Sequence, residues 1–232
     1  MCPAQILGLV AEVLQGRPRP LPHSRHSSSL GRQRVDAIEV SASGVPGDDF
    51  DDRRHHGGDE KALHHYPLEH YSAWQAEWPH LHARFVAGAF GENVSTQGIT
   101  EADVCVGDIM RMGACVVQVS QGRQPCWKLN AAFERTDMAS QAQDHGRLGW
   151  YYRVLEPGQI RAGMPIELLE RPHPAWPIAK VHRAIFQKMH SDEDLKALSR
   201  LAFLSPRWKQ LFSSRENNIP EANPEARFSI PP

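Results

Sequence analysis

The stretch Trp150-Tyr151-Tyr152-Arg153-Val154-Leu155-Glu156-Pro157-Gly158-Gln159-Ile160 decides how this chain is read. Aromatic and β-branched residues dominate its first six positions, which suits a pleated strand. Glu156 to Gln159 is a turn signal, and Ile160 resumes the apolar run. After Gly163-Met164-Pro165 comes another short strand pattern, Ile166-Glu167-Leu168-Leu169. The same rhythm runs upstream, at 5–14, 35–40, 62–66 and 109–112. Met112-Gly113-Ala114 then turns the chain into Cys115-Val116-Val117-Gln118-Val119. Many short strands divided by turns predict a mainly β fold with some α, of the barrel or sandwich kind. Pro67 is expected at the first position of a helix. Its stripe of Leu68, Tyr71, Trp74 and Trp78 reads as core packing rather than a platform for bases.

The character changes at Arg171-Pro172-His173-Pro174-Ala175-Trp176-Pro177, a stiff linker. Three helices are expected beyond it. The first carries Ile178, Val181, Ile185 and Met189. Ser191 caps the second, with Asp192, Glu193 and Asp194 in its first turn and Leu195, Leu198, Leu201 and Ala202 inward. Ser205-Pro206 starts the third, with Trp208, Leu211 and Phe212 inward. The expected division is a β-barrel domain over 1–170, a three-helix unit over 171–216 and an extended tail over 217–232. So small a helical unit cannot cover its own apolar faces, and must pack on the barrel or on a second subunit.

Composition narrows the function. The 232 residues are 41% hydrophobic and 23% charged with a formal net charge of −1, so no bulk electrostatics favour nucleic acid or membrane. Neither a secretory signal nor an apolar run of about 18 residues is present, and a cytoplasmic protein is expected. Cys2, Cys105, Cys115 and Cys126 show no CxxC spacing, so neither a zinc ribbon nor a thioredoxin-type motif is indicated.

Candidate chemistry gathers at Ser120-Gln121-Gly122-Arg123-Gln124-Pro125-Cys126-Trp127-Lys128-Leu129-Asn130. A thiol among fixed cations suits a thiolate, which attacks electrophiles or binds soft metals. Residues 44–61 form a polar loop in which Gly57-Gly58 lets the backbone approach a ligand. His55 and His56 lack further ligands at sensible spacing and read as surface residues. The segment from Gly16 to Arg34 holds five arginines and no acid. It could be a basic flap over an anion, but its composition favours a mobile surface loop.

These motifs are collinear with a known family. His56-Gly57-Gly58-Asp59-Glu60-Lys61-Ala62-Leu63, His65-Tyr66-Pro67 with Glu69-His70-Tyr71, Ala89-Phe90-Gly91-Glu92-Asn93, Gly107-Asp108-Ile109, the stretch from Ser120 to Asn130, Gly149-Trp150 and Pro157-Gly158 resemble the MOSC-domain proteins. Within them the chain is similar to the stand-alone YiiM type, associated with resistance to 6-N-hydroxylaminopurine. The resemblance implies a MOSC-type β-barrel followed by a small three-helix unit. It also implies a molybdopterin-type molybdenum cofactor, with Cys126 as metal ligand or carrier of activated sulfur. The family also has an association with pyridoxal phosphate.

Lys61, behind Gly57 and Gly58, with Arg123 and Lys128, would meet the cofactor phosphate. Gln121, Asn93 and Asn130 would meet the pterin edges. Lys61 stands where an arginine is common, His64 where a cysteine can occur, and the basic segment after Gly16 matches poorly. The implied activity is reduction of N-hydroxylated bases or related compounds, with a separate redox protein returning electrons, in a homodimer. The alternatives are a non-catalytic cofactor or sulfur carrier holding a Cys126 persulfide, and a metal-free Cys–His enzyme.

Overall fold

The computed structural model describes residues 5–48, 57–220 and 224–229. Cys2, His55, His56 and residues 221–223 and 230–232 of the expected tail lie outside the described residues. Twelve strands are described: β1 (Gln5–Gln15), β2 (Arg19–Pro20), β3 (Ser27–Ser28), β4 (Gln33–Val35), β5 (Ala37–Val40), β6 (Leu63–Pro67), β7 (Val94–Gln97), β8 (Ile109–Met112), β9 (Cys115–Gly122), β10 (Trp150–Glu156), β11 (Gly158–Arg161) and β12 (Pro165–Glu170). The helices are α1 (Leu68–Glu77), α2 (Trp127–Phe133), α3 (Met138–Asp144), α4 (Ile178–Phe186), α5 (Asp192–Arg200) and α6 (Pro206–Glu216).

Seven strands pair in the order β12-β8-β9-β10-β6-β7-β1, and β1 closes back on β12. The result is a barrel, which leaves few open strand edges. β4 adds to the far end of β1, and β5 with β11 forms a separate ribbon. Every pairing in the barrel is antiparallel except β6 with β7. A parallel pair needs a crossover, and α1 lies in that connection. Tyr71 and Trp74 of α1 are buried with Tyr66, Phe85, Phe90, Phe133 and Leu148 in a satellite core, so the aromatic stripe is packing.

The main core runs from the barrel interior (Val13, Met110, Val117, Trp150, Ile166) into the helical unit (Ile178, Val181, Leu198, Trp208, Phe212). The three helices therefore find their cover on the barrel of their own chain. Two residues expected inward are exposed. Met189 lies past the end of α4 and Ala202 past the end of α5, where helical periodicity no longer aims them. Pro67 ends β6 and caps α1 rather than opening the helix. Helix α2 begins at Trp127, directly after extended backbone at Cys126, and buries Leu129 and Phe133. No helix of the described residues is long and apolar enough to cross a membrane.

The reading of Gly16–Arg34 as a mobile loop is corrected. β2 and β3 pair into a ribbon, and Leu21, Ser28 and Arg32 are buried. The N–H groups of Gly31 and Arg32 donate to the Gly88 carbonyl at 2.8 and 3.1 Å. The Arg32 guanidinium pairs with Asp48, an acid from outside the segment, which is why its burial was not legible within the segment. Arg17, Arg19, Arg25 and Arg34 are exposed.

Candidate functional site

Strand pairing assembles the site. Tyr151 of β10 stands opposite His64 of β6 on one side and Gln121 of β9 on the other. Arg123 is the first residue beyond β9, and its N–H donates to the Gly149 carbonyl at 3.1 Å. The Gly57–Lys61 segment, the Phe90–Asn93 loop and the Ser28–Arg32 ribbon close the remaining sides. Together they enclose a pocket of about 50 Å3 lined by Ser28, Leu30, Arg32, Lys61, Phe90 and Arg123, among others.

Of the residues singled out from sequence, Gly57, Lys61, Asn93, Arg123 and Lys128 line this pocket. Cys126 is half-buried and not part of the lining, but it lies within electrostatic range of Lys61 and Tyr151, which are. The others are used elsewhere. Gly58 is exposed, and a side chain there would meet open space. The buried Gln121 amide donates to the Gly122 carbonyl at 3.2 Å. Asn130 ties α2 to α3, donating to the Thr136 carbonyl at 2.9 Å and accepting from the Ala139 N–H at 2.7 Å. Asn93 lines the pocket, but its amide donates to Asp48 at 2.7 Å and accepts from the His64 N–H at 3.2 Å.

Among the described residues the lining carries four cations, Arg32, Lys61, Arg123 and Lys128, and no carboxylate. Burial lowers the Arg32 guanidinium to about 10, against the pull of Glu92. Burial and then the Arg207 charge lower the Lys61 ammonium to about 8, while Cys126 pulls it up. Burial, followed by the Arg123 charge, holds His64 well below the usual imidazole range, so it stays neutral. Burial also raises the Tyr151 phenol, against the charge of Arg123. Arg123 is only 7% exposed, and its Nη1 has no hydrogen-bond partner among the described residues. A buried guanidinium nitrogen left without an acceptor is costly, and an anion in the pocket would satisfy it.

Arg32, His64, Tyr151, Phe90 and the Ser28–Leu30 ribbon were not assigned to the site from sequence. The signal for Arg32 was its place in an acid-free basic run. His64 was marked only as a departure from the family pattern and Tyr151 carried no signal, because only the strand register brings them together. Among the described residues no group of three or more His, Cys, Asp or Glu could hold a metal ion.

Comparison with known proteins agrees with this architecture. Residues 52–167 match the MOSC domain, and residues 176–215 match the YiiM-like, 3-alpha helix domain. The chain is 37% identical to protein YiiM of Escherichia coli over 205 residues, covering 88% of this chain and 91% of that one. It is 34% identical to the uncharacterized protein YflK of Bacillus subtilis, covering 88% and 92%. A region spanning 68% of this chain is 40% identical to 28% of a Gibberella moniliformis protein named as a reductase. The crystal structure of YiiM from Escherichia coli superposes with a TM-score of 0.78 at 32% identity, covering 97% of this chain and 99% of that one. YiiM from Geobacillus stearothermophilus gives 0.75 at 31% identity, covering 90% and 99%. The chain belongs to the MOSC-domain family, in the group that carries a YiiM-like three-helix domain.

Proposed function

We propose that this pocket holds the anionic end of a molybdopterin-type molybdenum cofactor, and that the chain is an oxidoreductase acting on N-hydroxylated bases or related compounds. The observation that carries the reading is the buried Arg123: among the described residues its Nη1 has no partner, and the pocket around it is lined by cations and no carboxylate. Arg123 and Lys128 would hold the phosphate, Arg123 through its planar fork and Lys128 as a point charge. Cys126 would ligate the metal, since thiolate suits a soft metal–sulfur centre. Lys61 lies within electrostatic range of Cys126 and would meet the anionic cofactor from that side. Leu30 and Phe90 supply apolar lining that would shield a bound phosphate from water. When bound, the cofactor supplies two-electron redox chemistry. The reductase name of the fungal relative supports an oxidoreductase. A separate electron-donor protein and a homodimer belong to the same proposal.

The test is reduction of an N-hydroxylated base by protein made in a cofactor-producing host and supplied with an electron donor. Wild-type activity lost in Cys126→Ala supports the reading, and full activity in that variant refutes it. The half-buried Cys126 beside Lys61 equally suits a persulfide, so a sulfur carrier is the second reading. A persulfide mass on Cys126 in protein free of molybdenum would favour it.

A further inference from the structure

Glu101 lies outside the pocket, yet the pocket walls depend on it. It is buried, at 4% exposure, in the turn after β7. Its Oε1 accepts from the Gly149 N–H at 2.6 Å and the Leu148 N–H at 3.1 Å. Its Oε2 pairs with His70 Nε2 of α1 at 2.7 Å. The two residues it grips also present their carbonyls to groups of the pocket wall. The Gly149 carbonyl accepts the Arg123 N–H at 3.1 Å, and the Leu148 carbonyl accepts from His64 Nε2 at 3.4 Å. Tyr151, two residues further on, is the third wall.

We infer that Glu101, anchored by His70, is the positioning residue of the anion pocket, fixing the Leu148–Gly149 hinge from which Arg123 and His64 are held. The hinge needs such a grip. Gly146 and Gly149 both have left-handed backbone, with φ of 67° and 72°, and a Cβ on Gly149 would run into the His65 carbonyl. Backbone this tight turns two consecutive N–H groups into the protein, where they require an acceptor. A carboxylate takes both on one oxygen and keeps the other for His70. A neutral amide at this position has one acceptor end and one donor end. It serves the N–H pair only if His70 presents a lone pair in place of its N–H. A buried carboxylate is expensive unless fully paired, and here every bonding role is filled. Burial pushes its pKa up, but the His70 charge and hydrogen bond outweigh this and hold it at about 2. Glu101 therefore stays ionised across the neutral range. It touches no pocket space, so its influence passes through Arg123 and His64.

The inference rests on the anion-pocket reading for its functional consequence, and the experiment separates the two. Amide hydrogen exchange is measured on full-length wild type, Glu101→Gln and His70→Asn, together with the Kd for inorganic phosphate and the melting temperature. The expected result for Glu101→Gln is at least ~10-fold faster exchange at Arg123 and Gly149, little change at the barrel amide of Val117, and ~10-fold weaker phosphate binding. His70→Asn should move the same quantities in the same direction by a smaller factor. Exchange at Arg123 within twofold of wild type, or a rise shared equally by Val117, overturns the positioning role. If Glu101→Gln does not fold, His70→Asn is judged by the same exchange criterion. Wild type that fails to bind phosphate counts against the anion-pocket reading, while the exchange measurement still decides the positioning role.

Discussion

His182 of α4 stands so close to Gly122, the last residue of β9, that any Cβ on Gly122 would overlap its ring. The same Cβ would lie 2.9 Å from Trp208 of α6. This is the seam where the three-helix unit meets the strand that leads into Arg123 and Cys126. Gly122→Ala should force the helices away from the barrel and lower stability by about 1–3 kcal/mol. Urea unfolding measures it, and a change below about 0.5 kcal/mol would show that the seam yields freely.

Acid should destabilise this fold earlier than its carboxylates alone would suggest. Burial, only partly offset by Glu101, lowers His182 to about 4 and His65 to about 3. The His65 ring sits between the Tyr152 hydroxyl at 2.9 Å and the Thr96 hydroxyl at 2.5 Å. In the unfolded chain both imidazoles titrate near 6.5, at about 1.36 kcal/mol per unit of difference. Between pH 6.5 and 4 the unfolded chain takes up protons that the folded one refuses, so stability falls as pH drops. His182 alone contributes on the order of 3 kcal/mol, lost by about pH 4. Glu101 acts in the same direction lower down, its stabilisation disappearing from about pH 4.5 toward 2. Urea midpoints from pH 7.5 to 4.5 should decline steadily below pH 6.5. A flat profile contradicts the buried neutral histidines.

Arg123→Lys should not be conservative. Lysine keeps the charge but loses the planar fork that satisfies two anion oxygens together. Phosphate titration should show about tenfold weaker binding, with thermal stability nearly unchanged. Equal affinity in the lysine variant would mean that the site reads charge alone.

At the start of α5, Ser191 accepts from the Asp194 N–H at 3.1 Å, and Asp194 accepts from the Ser191 N–H at 3.1 Å. Ser191→Ala breaks this reciprocal cap and should cost about 1 kcal/mol. Thermal denaturation reads it, and no loss would imply that tertiary packing alone sets the helix start.

What was legible in the sequence follows from the range of each signal. Ser191 with its acidic first turn, the Met112–Ala114 hairpin and the run beginning at Trp150 are local, and the structure has them in place. Barrel closure by β1 on β12 joins residues more than 150 positions apart, and alternation within either strand does not name its partner. In the pocket, Arg123 and Lys61 were legible because cations beside a cysteine and a double glycine have few structural uses. Arg32 was not, since its partner Asp48 lies in another segment. Asn93, which lines the pocket, and Asn130, which does not, show how little an asparagine alone can tell. Asparagine amides satisfy backbone as readily as ligands, and here Thr136, Ala139 and the His64 N–H use them.

The central claim is that Arg123 and Cys126 serve one cofactor, the first through its anion and the second through its metal. The direct measurement is molybdenum and pterin content of protein purified from a cofactor-producing host. Wild type should carry both, close to one per chain. Cys126→Ala should lose molybdenum, and Arg123→Ala should lose pterin and metal together. Wild type without either, or Cys126→Ala with undiminished molybdenum, would contradict the account.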